Sequence, residues 1–154
     1  MYKYIILGAV IISLIISYGS DVNSIEAEGT IVPSGPPLET PVKNEIGGGC
    51  IVELKLPYNI TGNLTGNLEI DFRILVYGSC DKPSGTFNEE WIAFGSFNGT
   101  VDGSPSSGMF TYTADVKAGG DVKGKIIFGQ GIEGELLVKG NFSDGKLSYN
   151  GILN

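Results

Sequence analysis

Between Ile60 and Val76 the chain alternates. Ile60, Leu64, Leu68, Ile70, Phe72, Ile74 and Val76 share one parity, interrupted by Gly62 and Gly66, while Thr61, Asn63, Thr65, Asn67, Glu69, Asp71 and Arg73 hold the other. A period of two puts these sets on opposite faces of an extended chain, one buried and one wet. The run of 17 residues is long for one strand. Its glycines, and the tandem Thr-Gly-Asn-Leu at 61–64 and 65–68, predict a bend or bulge that divides it.

The pattern recurs. Cys50, Val52, Leu54 and Leu56 alternate up to Pro57, and Phe87, Trp91, Ala93, Phe97 and Val101 alternate up to Asp102-Gly103. Phe110, Tyr112, Ala114 and Val116 follow Gly108; Val122, Ile126 and Phe128 follow Gly119-Gly120. Leu136, Val138 and Phe142 precede Asp144-Gly145, and Leu147, Tyr149 and Leu153 come last. Short strands joined by Gly- and Asp-rich turns, with no segment of helical period, predict an all-β domain over 50–154, a small antiparallel barrel or sandwich. The 24 glycines lack the triplet period of collagen and fit tight turns and kinked strands. Ile92, Phe94 and Ile127 break the pattern by pointing outward, where they mark a partner surface or a strand buried on both sides.

Residues 1–49 read differently. One lysine, an apolar run from Ile5 to Ile16 broken only by Ser13, and small residues up to Gly19 have the layout of a secretory signal peptide, residues 1–19. The alternative is a retained membrane anchor, but Tyr4–Tyr18 is 15 residues, about 22 Å as a helix, and a crossing needs ~20 residues. Residues 20–49 carry Pro33, Pro36, Pro37, Pro41 and Gly47-Gly48-Gly49 with few, aperiodic apolar residues, and are expected to be an extended linker or arm. Its Thr30-Ile31-Val32 could instead add a strand to a neighbour's sheet edge. In an exported chain Cys50 and Cys80 are expected to pair, the alternative being two buried thiols. Four sequons, at Asn59, Asn63, Asn98 and Asn141, all take the outward parity of their segments and are candidate glycosylation sites.

The order of motifs from Gly62 to Gly145 resembles an uncharacterised family of small bacterial proteins. The landmarks are Gly62-Asn63-Leu64-Thr65-Gly66, Ser84-Gly85-Thr86, Phe97-Asn98-Gly99-Thr100-Val101-Asp102-Gly103, Ser107-Gly108-Met109-Phe110, and Gly129-Gln130-Gly131-Ile132-Glu133-Gly134-Glu135-Leu136. The resemblance implies a closed barrel of about eight strands, allene oxide cyclase-like and lipocalin-shaped. It implies no activity, and no motif here matches the active site of allene oxide cyclase.

Chemistry is constrained by what is missing. The chain has no histidine, so the usual neutral-pH base, the Ser-His-Asp and Cys-His pairings and most zinc and copper sites are out of reach. A net charge of −7 without a Lys/Arg cluster argues against nucleic acid and anionic membranes, leaving membrane contact only to a retained N-terminal helix. No catalytic residue, metal site or cofactor is expected. Glu133 and Glu135 offer oxygens for calcium, but without an ordered acidic loop they read as surface charge. A small barrel is either filled by side chains or holds one small ligand. For a ligand, the candidates are Leu68, Phe72, Trp91 and Phe110 as apolar lining and Glu89 as an acid at the mouth. The competing readings are core packing for Trp91 and a solvated strand end for Glu89. The leading expectation is a secreted or cell-surface barrel that binds or builds rather than catalyses. The alternatives are a carrier, or less readily a cyclase-type enzyme, for an apolar small molecule, and a self-associating filament or surface-layer subunit docking through its arm.

Overall fold

A computed structural model describes residues 24–154; the expected leader, residues 1–19, lies outside them. The alternating segments become strands that each bury one face. They are β1 (Ile25–Pro33), β2 (Val42–Ile46), β3 (Gly49–Gly62), β4 (Leu64–Val76), β5 (Glu89–Val101), β6 (Ser104–Val116), β7 (Asp121–Gln130), β8 (Ile132–Asn141) and β9 (Lys146–Leu153). From β3 to β9 each strand pairs antiparallel with the next. β1 lies between β9 and β3 and closes an eight-stranded barrel, leaving β2 as a ninth strand on the β3 edge. Among the described residues helix is confined to one 3-10 turn, Phe142–Asp144. No helix among the described residues is long and apolar enough to cross a membrane.

Parity decides burial. Leu64, Leu68, Phe97, Ile126 and Leu136 are almost wholly buried, whereas Ile92, Phe94 and Ile127 stand exposed on the outer face. The β5–β6 hairpin turns on Asp102-Gly103, both at positive φ, the arrangement that matches the twist of the flanking strands. The run from Ile60 to Val76 divides at Gly62-Asn63, by a full hairpin reversal rather than the expected bend, with Ile60 opposite Gly66. Cys50 and Cys80 form a disulfide, Cα atoms 5.2 Å apart, tying β3 to the β4–β5 loop.

The expected linker over 20–49 is corrected. The barrel begins at Ile25, not at Cys50, and both β1 and β2 lie within the supposed arm. Thr30-Ile31-Val32 adds a strand, but to its own sheet, pairing with Ile60 and its neighbours. The inward residues of β1 are Ile25, Ala27, Gly29 and Ile31, and with only alanine and glycine between the two isoleucines the strand shows little hydrophobic period. At Gly29 a side chain is excluded by the Thr61 carbonyl across the seam and by Tyr149, whose hydroxyl oxygen would lie 2.6 Å from a Cβ there. That hydroxyl also accepts a hydrogen bond from Leu64 N at 3.1 Å, so the closing seam is packed and bonded at one point. Pro36, Pro37 and Pro41 fall between β1 and β2, outside any ladder, where a missing N–H is tolerated.

Candidate functional site

One end of the barrel is crossed by the β4–β5 loop, residues 77–88, which is fastened at several points. The disulfide holds Cys80 to β3, and Lys43 Nζ donates to the Cys80 carbonyl at 3.3 Å. On the far side, Gly119 N donates to the Gly85 carbonyl at 2.8 Å, and Ala118 N donates to Asn88 Oδ1 at 3.0 Å. Phe142 packs so closely on Gly85 that a Cβ there would sit 2.7 Å from its ring.

The central fastening is Glu89, the first residue of β5. It is only 2% exposed. Its Oε1 accepts from Ser84 Oγ at 3.1 Å and Gly85 N at 2.9 Å, and its Oε2 accepts from Trp91 Nε1 at 2.8 Å. The expectation of a solvated strand end is thus overturned, because the loop folds back and supplies two donors, Ser84 and Gly85, and Trp91 of β5 supplies the third. A carboxylate has room for about four hydrogen bonds. Three of them hold the loop and the indole, so Glu89 positions its neighbours and is not aimed at open space.

Beneath the loop lies an aromatic cluster. The Trp91 ring meets Phe72 edge-on with centroids 5.5 Å apart, Tyr112 packs 6.1 Å from Phe72 and 6.4 Å from Trp91, and Tyr58 lies 6.3 Å from Phe72. Gly124 makes room for Tyr112, since a Cβ there would come within 2.7 Å of the tyrosine ring. The Tyr112 hydroxyl is buried and has no hydrogen-bond partner among the described residues. Desolvation raises its pKa well above the ordinary phenol value, with a smaller electrostatic contribution from Tyr58, and burial pushes Tyr58 itself up to about 12.

The wall beside this cluster is incompletely covered. β1 leaves the β3 edge at Tyr58, and lower down β3 pairs with β2 instead. The inward side chains of that stretch, Val52, Leu54, Leu56 and Tyr58, are only half-buried, although they pack against the core. The other half of the barrel contrasts with it. Phe110 and Phe128 meet at 5.3 Å and Phe97 and Phe128 at 6.3 Å, all almost fully buried, and Gly95 leaves its space to the Phe110 ring.

The structure therefore divides the expected ligand residues. Phe72 and Trp91 sit together under the loop, with Glu89 behind the indole. Leu68 is buried beside Phe97, and Phe110 belongs to the closed half. Tyr58 and Tyr112 were not expected as site residues. The available signal was a tyrosine at an inward position of an otherwise apolar set, which demands a partner for its hydroxyl. Among the described residues no three His, Cys, Asp or Glu side chains gather in a way that would hold a metal ion.

The sequon asparagines also separate. Asn63 Oδ1 accepts from Glu28 N at 3.0 Å, and its Nδ2 donates to Asp102 Oδ1 at 2.8 Å. Asn141 Nδ2 donates to Gly119 O at 2.8 Å, while its Oδ1 caps the 3-10 turn at Ser143 N. Asn59 and Asn98 are exposed on the outer face. No protein-family model matches the chain, and no curated protein matches it either.

Proposed function

We propose that this is an exported, non-enzymatic barrel that binds a small apolar molecule carrying one hydrogen-bond acceptor, held beneath the β4–β5 loop. The observation that carries the reading is the Tyr112 hydroxyl, a buried donor without a partner set in a cluster of aromatic rings. An unpaired buried polar group costs free energy, and a ligand acceptor meeting it recovers that cost. The half-buried wall of Val52, Leu54 and Leu56 supplies the approach. The binding role is favoured over catalysis because Glu89 is engaged by three donors and the chain offers no histidine base. Export is supported by the Cys50–Cys80 bond, of a kind that persists in oxidising compartments. The motif order that resembles the allene oxide cyclase-like family agrees with a lipocalin-like use of the barrel.

Trp91 is the sole tryptophan and lies in the cluster, so its emission reports binding directly. Titration with 2-acetonaphthone, an apolar ketone, is expected to quench it saturably. Tyr112→Phe should weaken the ketone about fivefold, the equivalent of one hydrogen bond of ~1 kcal/mol, and leave naphthalene unaffected. Non-saturable quenching, or equal ketone affinity in Tyr112→Phe, would overturn the proposal.

A further inference from the structure

β2 ends the sheet. It pairs with β3 on one side, no described strand pairs with it on the other, and all five of its residues are exposed. The direction of its free backbone groups follows from β3. The carbonyls of Lys55 and Pro57 point to this edge, accepting from Leu38 N at 2.8 Å and Ser34 N at 3.0 Å. Along β3 the odd-numbered residues therefore face the β2 lane. Their partners Val42, Asn44 and Ile46, opposite Glu53, Ile51 and Gly49, spend their N–H and C=O groups on β3. Lys43 and Glu45 point theirs outward.

The strand reads Val-Lys-Asn-Glu-Ile, and it complements its own reverse. An antiparallel second copy, related by a two-fold axis at Asn44, sets Lys43 opposite Glu45 and Val42 opposite Ile46. In the same register the free backbone groups of Lys43 and Glu45 meet, and each such pair exchanges both N–H···O=C bonds. Charge, shape and backbone direction thus agree on one pairing, and the contact is isologous, as closed dimers require. An edge that is kept from pairing is blunted by lysine, proline or a bulge; here the two charges alternate in sign about the axis. We infer that β2 is the surface by which two copies of this chain associate edge to edge, extending the sheet across the dimer.

Sedimentation of the mature chain over rising concentration is expected to show a monomer–dimer equilibrium. Lys43→Glu places like charges opposite each other at both pairs, and Glu45→Lys does the same with the opposite sign. Each variant alone should weaken dimerisation about tenfold or more. An equimolar mixture of the two variants should dimerise again, as should the double swap Lys43→Glu/Glu45→Lys, and a merely misfolded variant would not recover on mixing. Amide exchange adds a check of register: Lys43 and Glu45 should become protected on dimerisation, whereas Val42 and Asn44 are already protected by β3. A wild-type monomer at millimolar concentration, or single variants that dimerise like wild type, would overturn the inference.

Discussion

Glu89→Gln tests the idea that a buried carboxylate fastens the loop over the aromatic cluster. The substitution keeps size and shape and removes one acceptor oxygen. With the amide oxygen in place of Oε1, the bonds from Ser84 and Gly85 survive, but the amide N–H groups face the Trp91 indole N–H, formerly 2.8 Å from its acceptor. With the amide flipped, Trp91 is satisfied and the Gly85 N–H meets a donor instead. Neither orientation satisfies all three donors. Losing one bond to a charged acceptor costs about 1.5–3 kcal/mol, and the orphaned buried donor adds about 1–3 kcal/mol. The neutral amide is cheaper to bury than a carboxylate, which offsets part of this. The expected net loss is about 2–4 kcal/mol, roughly 10 °C in Tm for a domain of this size. Urea unfolding followed by Trp91 emission measures it, and the folded variant should also show altered emission as the indole loses its partner or the loop loosens. A loss below about 1 kcal/mol with unchanged emission would refute the anchoring role.

Further predictions concern other parts of the molecule. Replacing Cys50 and Cys80 by alanine removes a cross-link spanning 30 residues and should cost about 3–4 kcal/mol in urea melts, with faster amide exchange in residues 77–88. Stability should fall as pH rises above 10, because the unfolded state ionises its tyrosines at the ordinary value while the folded state holds Tyr58 neutral until about 12 and Tyr112 neutral beyond its ordinary value. For Tyr58 alone this amounts to about 2 kcal/mol after allowance for its partial exposure, so Tyr58→Phe should flatten the alkaline limb of a Tm–pH curve. In a glycosylating host, mass spectrometry should find glycans on Asn59 and Asn98. At Asn63 and Asn141, replacement by Ala should instead lower stability by about 1 kcal/mol or more, because both side chains hold turns.

The fold was legible wherever large side chains marked the period. β4 to β9 follow from residues such as Leu68, Phe72, Trp91, Phe110 and Leu136, each inward as its parity requires. The closing strand is hard to read because Ala27 and Gly29 separate its inward Ile25 and Ile31, and Gly29 is required by the Thr61 carbonyl and Tyr149 across the seam, contacts that no local pattern encodes. Proline and glycine made the same stretch look like a tether, although the prolines fall between two strands rather than in either. The candidate site was half visible. Trp91 and Phe72 belong to the inward set, but two of the three partners of Glu89, Ser84 and Gly85, come from a loop whose path depends on the disulfide and on Gly119. The significance of Tyr112 lies in a missing contact, and a missing contact has no sequence signature beyond the residue type itself.

The binding site under the loop is tested most directly by a crystal structure with 2-acetonaphthone. The naphthyl ring should lie against Trp91 and Phe72, with the ketone oxygen within hydrogen-bond distance of Tyr112 Oη. A ring bound only on the outer face, or an interior that stays closed with the Tyr112 hydroxyl bonded to a buried water, would contradict it.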